Sequence, residues 1–282
     1  MRTNTGQILY IPKIGQRADF QHPLMRGCVG WWPLTDGGGG IARDILDRNN
    51  GTIVNSSTYN ITDRGLSLYQ TGTSSQKVDI ASGNRLNFVR DCTVSAWVSI
   101  NSGYIGNYRK IAVLHDGAGI GGFYLSTGPS NFPVYMGVRT SSSVSAVSTA
   151  GNYLTANVFT HLVGTYDGTN IRLYRNGIED AINSQTGDMY DSSKPVVLGA
   201  YYNGAESWPG YLQNIRMWNR SLSSSEVFEL YINPWAGLSV TSSTSYFFVP
   251  QLITASPKLF SVSGSSVSMR SNAGRVSVRA AR

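Results

Sequence analysis

The stretch 158–178, VFTHLVGTYDGTNIRLYRNGI, leaves a chain few ways to fold, because it reads as an antiparallel hairpin followed at once by a second tight turn. Side chains of residues 162–166 and 171–175 alternate between the faces of a sheet, which sets Ile171 and Leu173 on one side and Arg172 and Tyr174 on the other. Asp167-Gly168 between the two runs and Asn176-Gly177 after them are residue pairs that accept the positive φ of hairpin turns. Each pair stands where one strand must end and its neighbour begin.

The rest of the chain repeats this grammar. Residues 93–100, TVSAWVSI, place Val94, Ala96, Val98 and Ile100 on one face, and further runs of strand length cover 110–115, 122–126, 134–139, 196–200 and 210–218. Charged residues make up only 14% of 282 and glycines number 31, a composition suited to a turn-rich β protein rather than a helical one. All-β sandwiches of roughly 200–250 residues form single domains, so one body is enough to account for the length. The spacing Ser223-Ser224-Ser225-Glu226 is that of a capping box, and with Val227, Leu230 and Tyr231 it predicts one helix of about two turns, ended by Asn233-Pro234.

Phe159, His161, Tyr166, Asp167, Gly168, Leu173, Tyr174, Asn176 and Gly177 match the pattern W/F-x-H-x-x-x-x-Y-D-G … x-L-Y-x-N-G, and the segment resembles the core of the laminin G-like, concanavalin A-like jelly-roll family. The opening GWWPLTDGGGG … DRNNGT at 30–52, the strand at 93–100 and the closing strand at 210–218 with its helix resemble the same family in the same order. The resemblance implies an all-β fold over 28–237: a two-sheet antiparallel jelly-roll sandwich with one short C-terminal helix. Residues 1–27 are expected as an extended N-terminal arm, and 238–282, rich in Ser, Val and Arg, as an extension of short strands at 247–249, 259–262, 266–269 and 275–278 that pair with the body or a neighbouring subunit. For 263–282, disorder is the competing expectation.

Chemistry is sparse. Glucanases that resemble this family carry paired carboxylates on one strand, spaced for hydrolysis. Here Glu179-Asp180 follows a turn with its side chains on opposite faces, and Glu226 and Glu229 fall in the predicted helix, so no catalysis is expected. His22, His115 and His161 are scattered, no Cys-x-x-Cys occurs, and Cys28 and Cys92 are expected as two free buried thiols. The resemblance implies a calcium ion between the early Asp-bearing loop and the closing strand, with Asp44 at the first position and Asp47 and Asn49 nearby. Gln213 and Asn214 stand where the closing-strand acid belongs, which favours an Asx-type turn without metal; otherwise no cofactor is expected. Glycan contact in similar proteins uses loop aromatics, and Tyr104, Tyr108, Tyr201, Tyr202, Asn203 and Trp208 are the candidates, with protein contact the competing use of the same loops.

The net charge of +7 sits at the ends: residues 1–30 carry four basic side chains and one acid, 238–282 carry five and none, and 31–237 carry 14 against 15. A near-neutral body with basic ends is unlike a nucleic-acid-binding domain, whose charge covers a face of the fold, and no apolar run is long enough to cross a bilayer. Arg2, Lys13 and Arg17, with Arg270, Arg275 and Arg279, are the candidate anchoring residues of two arms. No secretory signal opens the sequence, so folding in a host cytoplasm is expected. The opening at 30–52 also resembles standalone laminin G-like proteins of tailed phages. The expected role is a non-catalytic bacteriophage virion protein on the particle surface, foremost a capsid decoration protein, multi-copy or homo-oligomeric, whose partners are capsid or other virion proteins. The alternatives are a tail or fibre adhesin binding host glycans and a secreted bacterial carbohydrate-binding lectin.

Overall fold

A computed structural model of the chain describes residues 16–73, 75–80, 86, 88–104, 108–115, 120–129, 133–140, 144–149, 154–190, 195–239, 245–248, 259–263, 266–271 and 274–279. Two compact units divide at residue 238, a large body and a unit of residues 239–282. In the body, β1 (Cys28–Trp32), β2 (Ile41–Ala42), β3 (Gly51–Val54), β4 (Thr58–Thr62), β5 (Gly65–Thr71) and β6 (Lys77–Ile80) come first. After them run β7 (Cys92–Ile100), β8 (Arg109–His115), β9 (Ile120–Thr127), β10 (Val134–Arg139) and β11 (Val144–Ser148). Then β12 (Thr160–Tyr166), β13 (Asn170–Arg175), β14 (Ile178–Ser184), β15 (Val196–Leu198) and β16 (Pro209–Trp218) lead to helix α1 (Ser224–Ile232). Among the described residues no helix is long and apolar enough to cross a membrane.

These strands form two antiparallel eight-stranded sheets. The first runs β14-β13-β12-β7-β16-β5-β4, with β1 also on β16, and the second runs β11-β10-β9-β8-β15-β6-β3-β2. The main core lies between them and takes Val94, Ala96, Val98 and Ile100 from β7 as the alternation requires. Ile171 and Leu173 enter this core, while Tyr174 lies on the other side of the first sheet. The sheets come so close at Gly164 of β12 that a Cβ there would sit 2.4 Å from Met136 Sδ of β10, so the position requires glycine. The Asp167-Gly168 turn forms as its residues dictate: Asp167 Oδ1 accepts from the amides of Thr169 and Asn170 at 2.9 and 2.7 Å, and Gly168 has φ +80°. Asn176 and Gly177 both have positive φ, which closes the two-residue connection between Arg175 and Ile178.

A second core covers the opposite face of the first sheet. Trp31, Val163, Tyr174 and Trp218 of that sheet meet Val227 and Leu230 of α1, Trp235, and Leu24 and Met25 of a 3-10 turn at Pro23–Met25. The capping box is present, with Ser223 and Glu226 reciprocally bonded, and Glu226 also pairs with Arg220 at 2.6 Å. The extended arm expected over 1–27 therefore does not describe residues 16–27, which fold onto the body: Ala18 bridges Leu238, and Trp218 Nε1 donates to the Leu24 carbonyl at 2.6 Å. The physical reason is burial, since Leu24 and Met25 close the apolar pocket around Trp218. Residues 1–15, with Arg2 and Lys13, lie outside the described residues; Arg17 is exposed on the body. Cys28 and Cys92 are buried free thiols, and burial pushes the Cys28 pKa up to about 12.

In the unit of residues 239–282, β17 (Ser245–Phe248), β18 (Leu259–Ser263), β19 (Ser266–Ser271) and β20 (Gly274–Arg279) form a four-stranded antiparallel sheet in chain order. The strands lie where the sequence places them, but they pair with one another, where pairing with the body or a neighbour was expected. Short connections make local pairing the least costly in chain entropy: only two residues separate Ser263 from its partner Ser266, and two separate Ser271 from Gly274.

Candidate functional site

The second sheet turns an aromatic face outward. Phe123 and Leu125 of β9 and Val134 and Met136 of β10 are core residues, so the alternate positions Tyr124 and Tyr135 must point away from the core. The Tyr124 ring lies across Gly137, its partner on β10, where a Cβ would stand 2.0 Å from the ring. In β8 the outward position next to Ser126 is Lys110. Its ammonium lies 5.0 Å from the ring centre of Tyr124, 5.5 Å from Tyr108 and 5.9 Å from Tyr201, and 3.1 Å from Glu206 Oε2. Three electron-rich faces and one carboxylate thus hold a nearly buried cation.

Around this centre, Tyr201 and Tyr202 meet edge to face at 4.8 Å, and Lys77 Nζ donates to the Tyr202 carbonyl while pairing with Asp79. Arg109 lies over Tyr104 at 5.2 Å and donates to the carbonyls of Gly72 and Ser207, both at 3.0 Å. Burial raises the Tyr124 pKa, with the neighbouring Tyr108 and Tyr135 adding to the shift, so its phenol stays protonated and can donate a hydrogen bond. Ser126 Oγ, beside Lys110, is buried without a hydrogen-bond partner among the described residues. The result is a patch of ring faces with a neutral Lys–Glu pair at its centre and hydroxyls distributed over it, able to stack on apolar ring faces and to bond hydroxyl groups.

Tyr108, Tyr201 and Tyr202 are thus brought together, and Tyr104 lies against Arg109 beside them in the chain. Trp208 is not among them: it is fully buried and its Nε1 donates to the Ser99 carbonyl at 3.1 Å, so it closes the sandwich and is unavailable to a ligand. Asn203 accepts from the Ala205 amide and shapes the turn. Sequence reasoning missed Lys110, Tyr124, Tyr135 and Glu206. The signal was present in β9 and β10, where each tyrosine occupies the solvent phase of an apolar alternation.

The loop expected to hold calcium is built otherwise. Asp44 Oδ1 accepts from the amides of Trp31 and Leu46 at 2.9 and 3.0 Å, and Oδ2 from those of Asn49 and Arg48 at 3.0 and 3.3 Å. Asn49 donates through Nδ2 to the Val29 carbonyl, and Asp47 is exposed at φ +54°. Asn214 Oδ1 takes the Trp31 indole N–H at 2.7 Å, and Gln213 Nε2 is bonded to the carbonyls of Arg64 and Leu66. A calcium ion needs six to eight oxygen ligands, whereas the groups around Asp44 are N–H donors. Asp44, Asp47 and Asn49 do not fit a calcium cage, and no group of three His, Cys, Asp or Glu side chains suits a metal among the described residues.

One pair has the composition of a catalytic dyad: Ser95 Oγ lies 2.9 Å from His161 Nε2. Both are buried, the imidazole stacks on Trp97 at 5.0 Å, and the Arg64 guanidinium lies over the same indole at 3.3 Å. Burial, then the charges of Arg64 and Arg216, lower the His161 pKa to about 3, which leaves a weak base out of a substrate's reach. Below about pH 6.5 an unfolded chain protonates this histidine while the native state does not, so stability falls as pH drops from there toward 3. Between pH 7 and 5 this amounts to about 2 kcal/mol. Urea unfolding at both pH values is expected to show that loss in the parent chain and its absence in His161→Gln.

Glu179 and Asp180 pair with Arg172 and Arg175 at 3.5 and 3.0 Å on the margin of the first sheet.

A family model described as the concanavalin A-like lectin/glucanases superfamily matches residues 71–228. Among solved structures, the fold is similar to the binding domain of Paraclostridial Mosquitocidal Protein 1, with TM-score 0.61 and 15% identity over 74% of this chain and 52% of that one. The chain thus spans about half the length of that structure. It is similar also to domain 4 of AbnA, an extracellular arabinanase from Geobacillus stearothermophilus solved with arabinotriose (TM-score 0.51, 17% identity, 72% of this chain and 98% of that one). The receptor binding domain of botulinum neurotoxin C/D mosaic serotype is a third, at TM-score 0.57 and 11% identity over 89% and 72%. At these identities the likeness is one of fold.

Proposed function

The chain belongs to the concanavalin A-like lectin/glucanase superfamily, and from there we propose that it is a non-catalytic glycan-recognition module displayed on a phage particle. The observation that carries the glycan reading is the Lys110 centre, ringed by Tyr108, Tyr124 and Tyr201 and backed by the unpartnered Ser126 hydroxyl. A sugar ring has an apolar face for the tyrosines and a rim of hydroxyls for Lys110, Glu206 and the phenols, and a buried hydroxyl without a partner is a group that a ligand or water would satisfy. The inaccessible Ser95–His161 pair and the committed carboxylates support recognition without turnover.

Placement on a particle, foremost as a head decoration protein in many copies, is supported by the opening at residues 30–52 and by a 239–282 unit with five basic and no acidic residues. A tail adhesin would bind the same glycans at low copy number.

The test is a glycan array probed with the full chain, followed by titration of the retained sugar against Tyr108→Ala. Tyr108 is 48% exposed, so its removal spares the core, and binding is expected to weaken about tenfold, ~1.4 kcal/mol. Failure to retain any glycan, or an unchanged affinity in the variant, overturns the reading. Copy number from mass spectrometry of purified particles separates decoration from a tail fibre.

A further inference from the structure

Two arginines of the body stack on tryptophans of the first sheet: Arg216 on Trp31 at 3.4 Å and Arg64 on Trp97 at 3.3 Å. Neither pairs with a carboxylate among the described residues, and they differ in what replaces the acid. Arg216 gives its donors to the Ala236 and Pro234 carbonyls and the Asn214 side chain. The Arg64 side chain has one hydrogen bond among the described residues, from Nε to Gln213 Oε1 at 3.3 Å, and its Nη2 is buried without a partner. Trp97 Nε1 is likewise buried and unpartnered, in a side chain only 5% exposed. Burial draws the Arg64 pKa down to about 10, and the exposed Asp63 next to it in the chain offsets only part of that.

From this pair a row of rings continues across the sheet. Phe159 has its ring centre 5.9 Å from the Arg64 guanidinium, Tyr211 of β16 lies 6.1 Å from Phe159, and Tyr69 of β5 lies 5.0 Å from Tyr211; all three are half-buried. At the far end Asn101 Nδ2 donates to the Tyr69 hydroxyl at 3.0 Å. We propose that this row is a second ligand site, on the sheet that does not carry the Lys110 centre, and that it takes an acidic saccharide. The sugar carboxylate would meet Arg64 and the Trp97 N–H, ring faces would lie on Phe159 and Tyr211, and hydroxyls would reach Tyr69 and Asn101. Two buried donors without an acceptor call for an anionic oxygen, and a guanidinium fork matches a carboxylate. Arg64 is half-buried, so rotation of its stem turns the fork toward an arriving ligand. A protein acid fits less well: β5, β16 and β7 are each paired on both sides, so the face offers no free edge to the backbone of an extended peptide. The Lys110 centre already holds a carboxylate, Glu206 at 3.1 Å, so the two sites differ in the charge they accept and either can fail alone.

The test titrates the full chain with a panel of uronate oligosaccharides and other sugar acids, each beside its neutral methyl ester. At least one acid is expected to bind about tenfold more tightly than its ester. Arg64→Gln should abolish that preference, and Arg43→Gln, which removes a charge 72% exposed elsewhere on the body, should leave it unchanged. Because Arg64→Gln could disturb the face itself, the unaltered chain supplies a second measurement. The indole N–H resonance of Trp97, identified by its absence in Trp97→Phe, should shift with the acid and much less with the ester. Failure to bind any sugar acid, an ester bound equally well, a preference that survives Arg64→Gln, or a Trp97 resonance that the acid leaves in place overturns the proposal. An aspartate-rich peptide that moves this resonance where no saccharide does would give the site to a protein acid and overturns it equally.

Discussion

Replacing Asp44 with alanine is expected to lower the unfolding free energy by about 3–5 kcal/mol, and chelating calcium is expected to change it not at all. The carboxylate is 4% exposed and takes four backbone N–H groups, from Trp31, Leu46, Arg48 and Asn49. Each buried amide left without an acceptor costs about 1–3 kcal/mol, and the loop can relax around some of them but not all. Asparagine is no remedy, since one of its two polar atoms would present hydrogens to amide hydrogens. The Trp31 amide ties this loop to β1, so the loss reaches the joint between the first sheet and the second core. A melting point lower by roughly 6–20 °C is the corresponding readout for a domain of this size. If chelation shifted the parent chain by several degrees, the account of Asp44 as an acceptor for amides would be wrong.

Arg216→Met is expected to cost a similar amount, about 3–5 kcal/mol, although methionine fills much of the volume. Arg216 is 1% exposed, its guanidinium stacks on Trp31 at 3.4 Å, and its donors reach the Asn214 side chain at 3.1 Å, the Ala236 carbonyl at 2.8 Å and the Pro234 carbonyl. Burial pulls its pKa well below the ordinary arginine value, which measures what carbonyl oxygens and an indole face must offset in place of an acid. These carbonyls lie just past the C-terminal end of α1, where the helix dipole is negative and a cation is favoured. Methionine would leave the buried Ala236 carbonyl without its donor and the Pro234 carbonyl with Asn214 Nδ2 alone, and the hold of the segment 234–238 on the first sheet would weaken. Arg216→Lys should recover only part of the loss, because one ammonium cannot reproduce a planar fork aimed at two carbonyls. Chemical denaturation of the three proteins checks the order; equal stability of the parent and methionine forms would show the clamp to be dispensable.

The fold was legible wherever a local pattern carried its own geometry. The hairpin across Asp167-Gly168, the alternating strand β7 and the capping box at Ser223 each state backbone conformation within a few residues, and each lies where the sequence places it. Residues 16–27 were not legible, because Leu24 and Met25 sit in a single 3-10 turn with no period to reveal a buried face. Pairing of the strands after residue 238 was also hidden, since alternation specifies a strand's faces and says nothing of its neighbour. The candidate site was half legible. Aromatic loops announced Tyr104, Tyr108, Tyr201 and Tyr202, but the cation they surround comes from β8, and only the three-dimensional register brings Lys110, Tyr124 and Glu206 to one place. Trp208 misled because its type suits a sugar platform equally well as a plug, and burial alone decides between them.

The backbone bridge between Ala18 and Leu238, reinforced by the Asp19 amide on the Gly237 carbonyl at 2.7 Å, brings the entry and exit of the body to adjacent positions about 5 Å apart. A module whose way in and way out coincide is a cassette. It can be spliced into a surface loop of an unrelated scaffold without stretching that loop, or have its termini joined and be reopened elsewhere, and it will still close its own sheets.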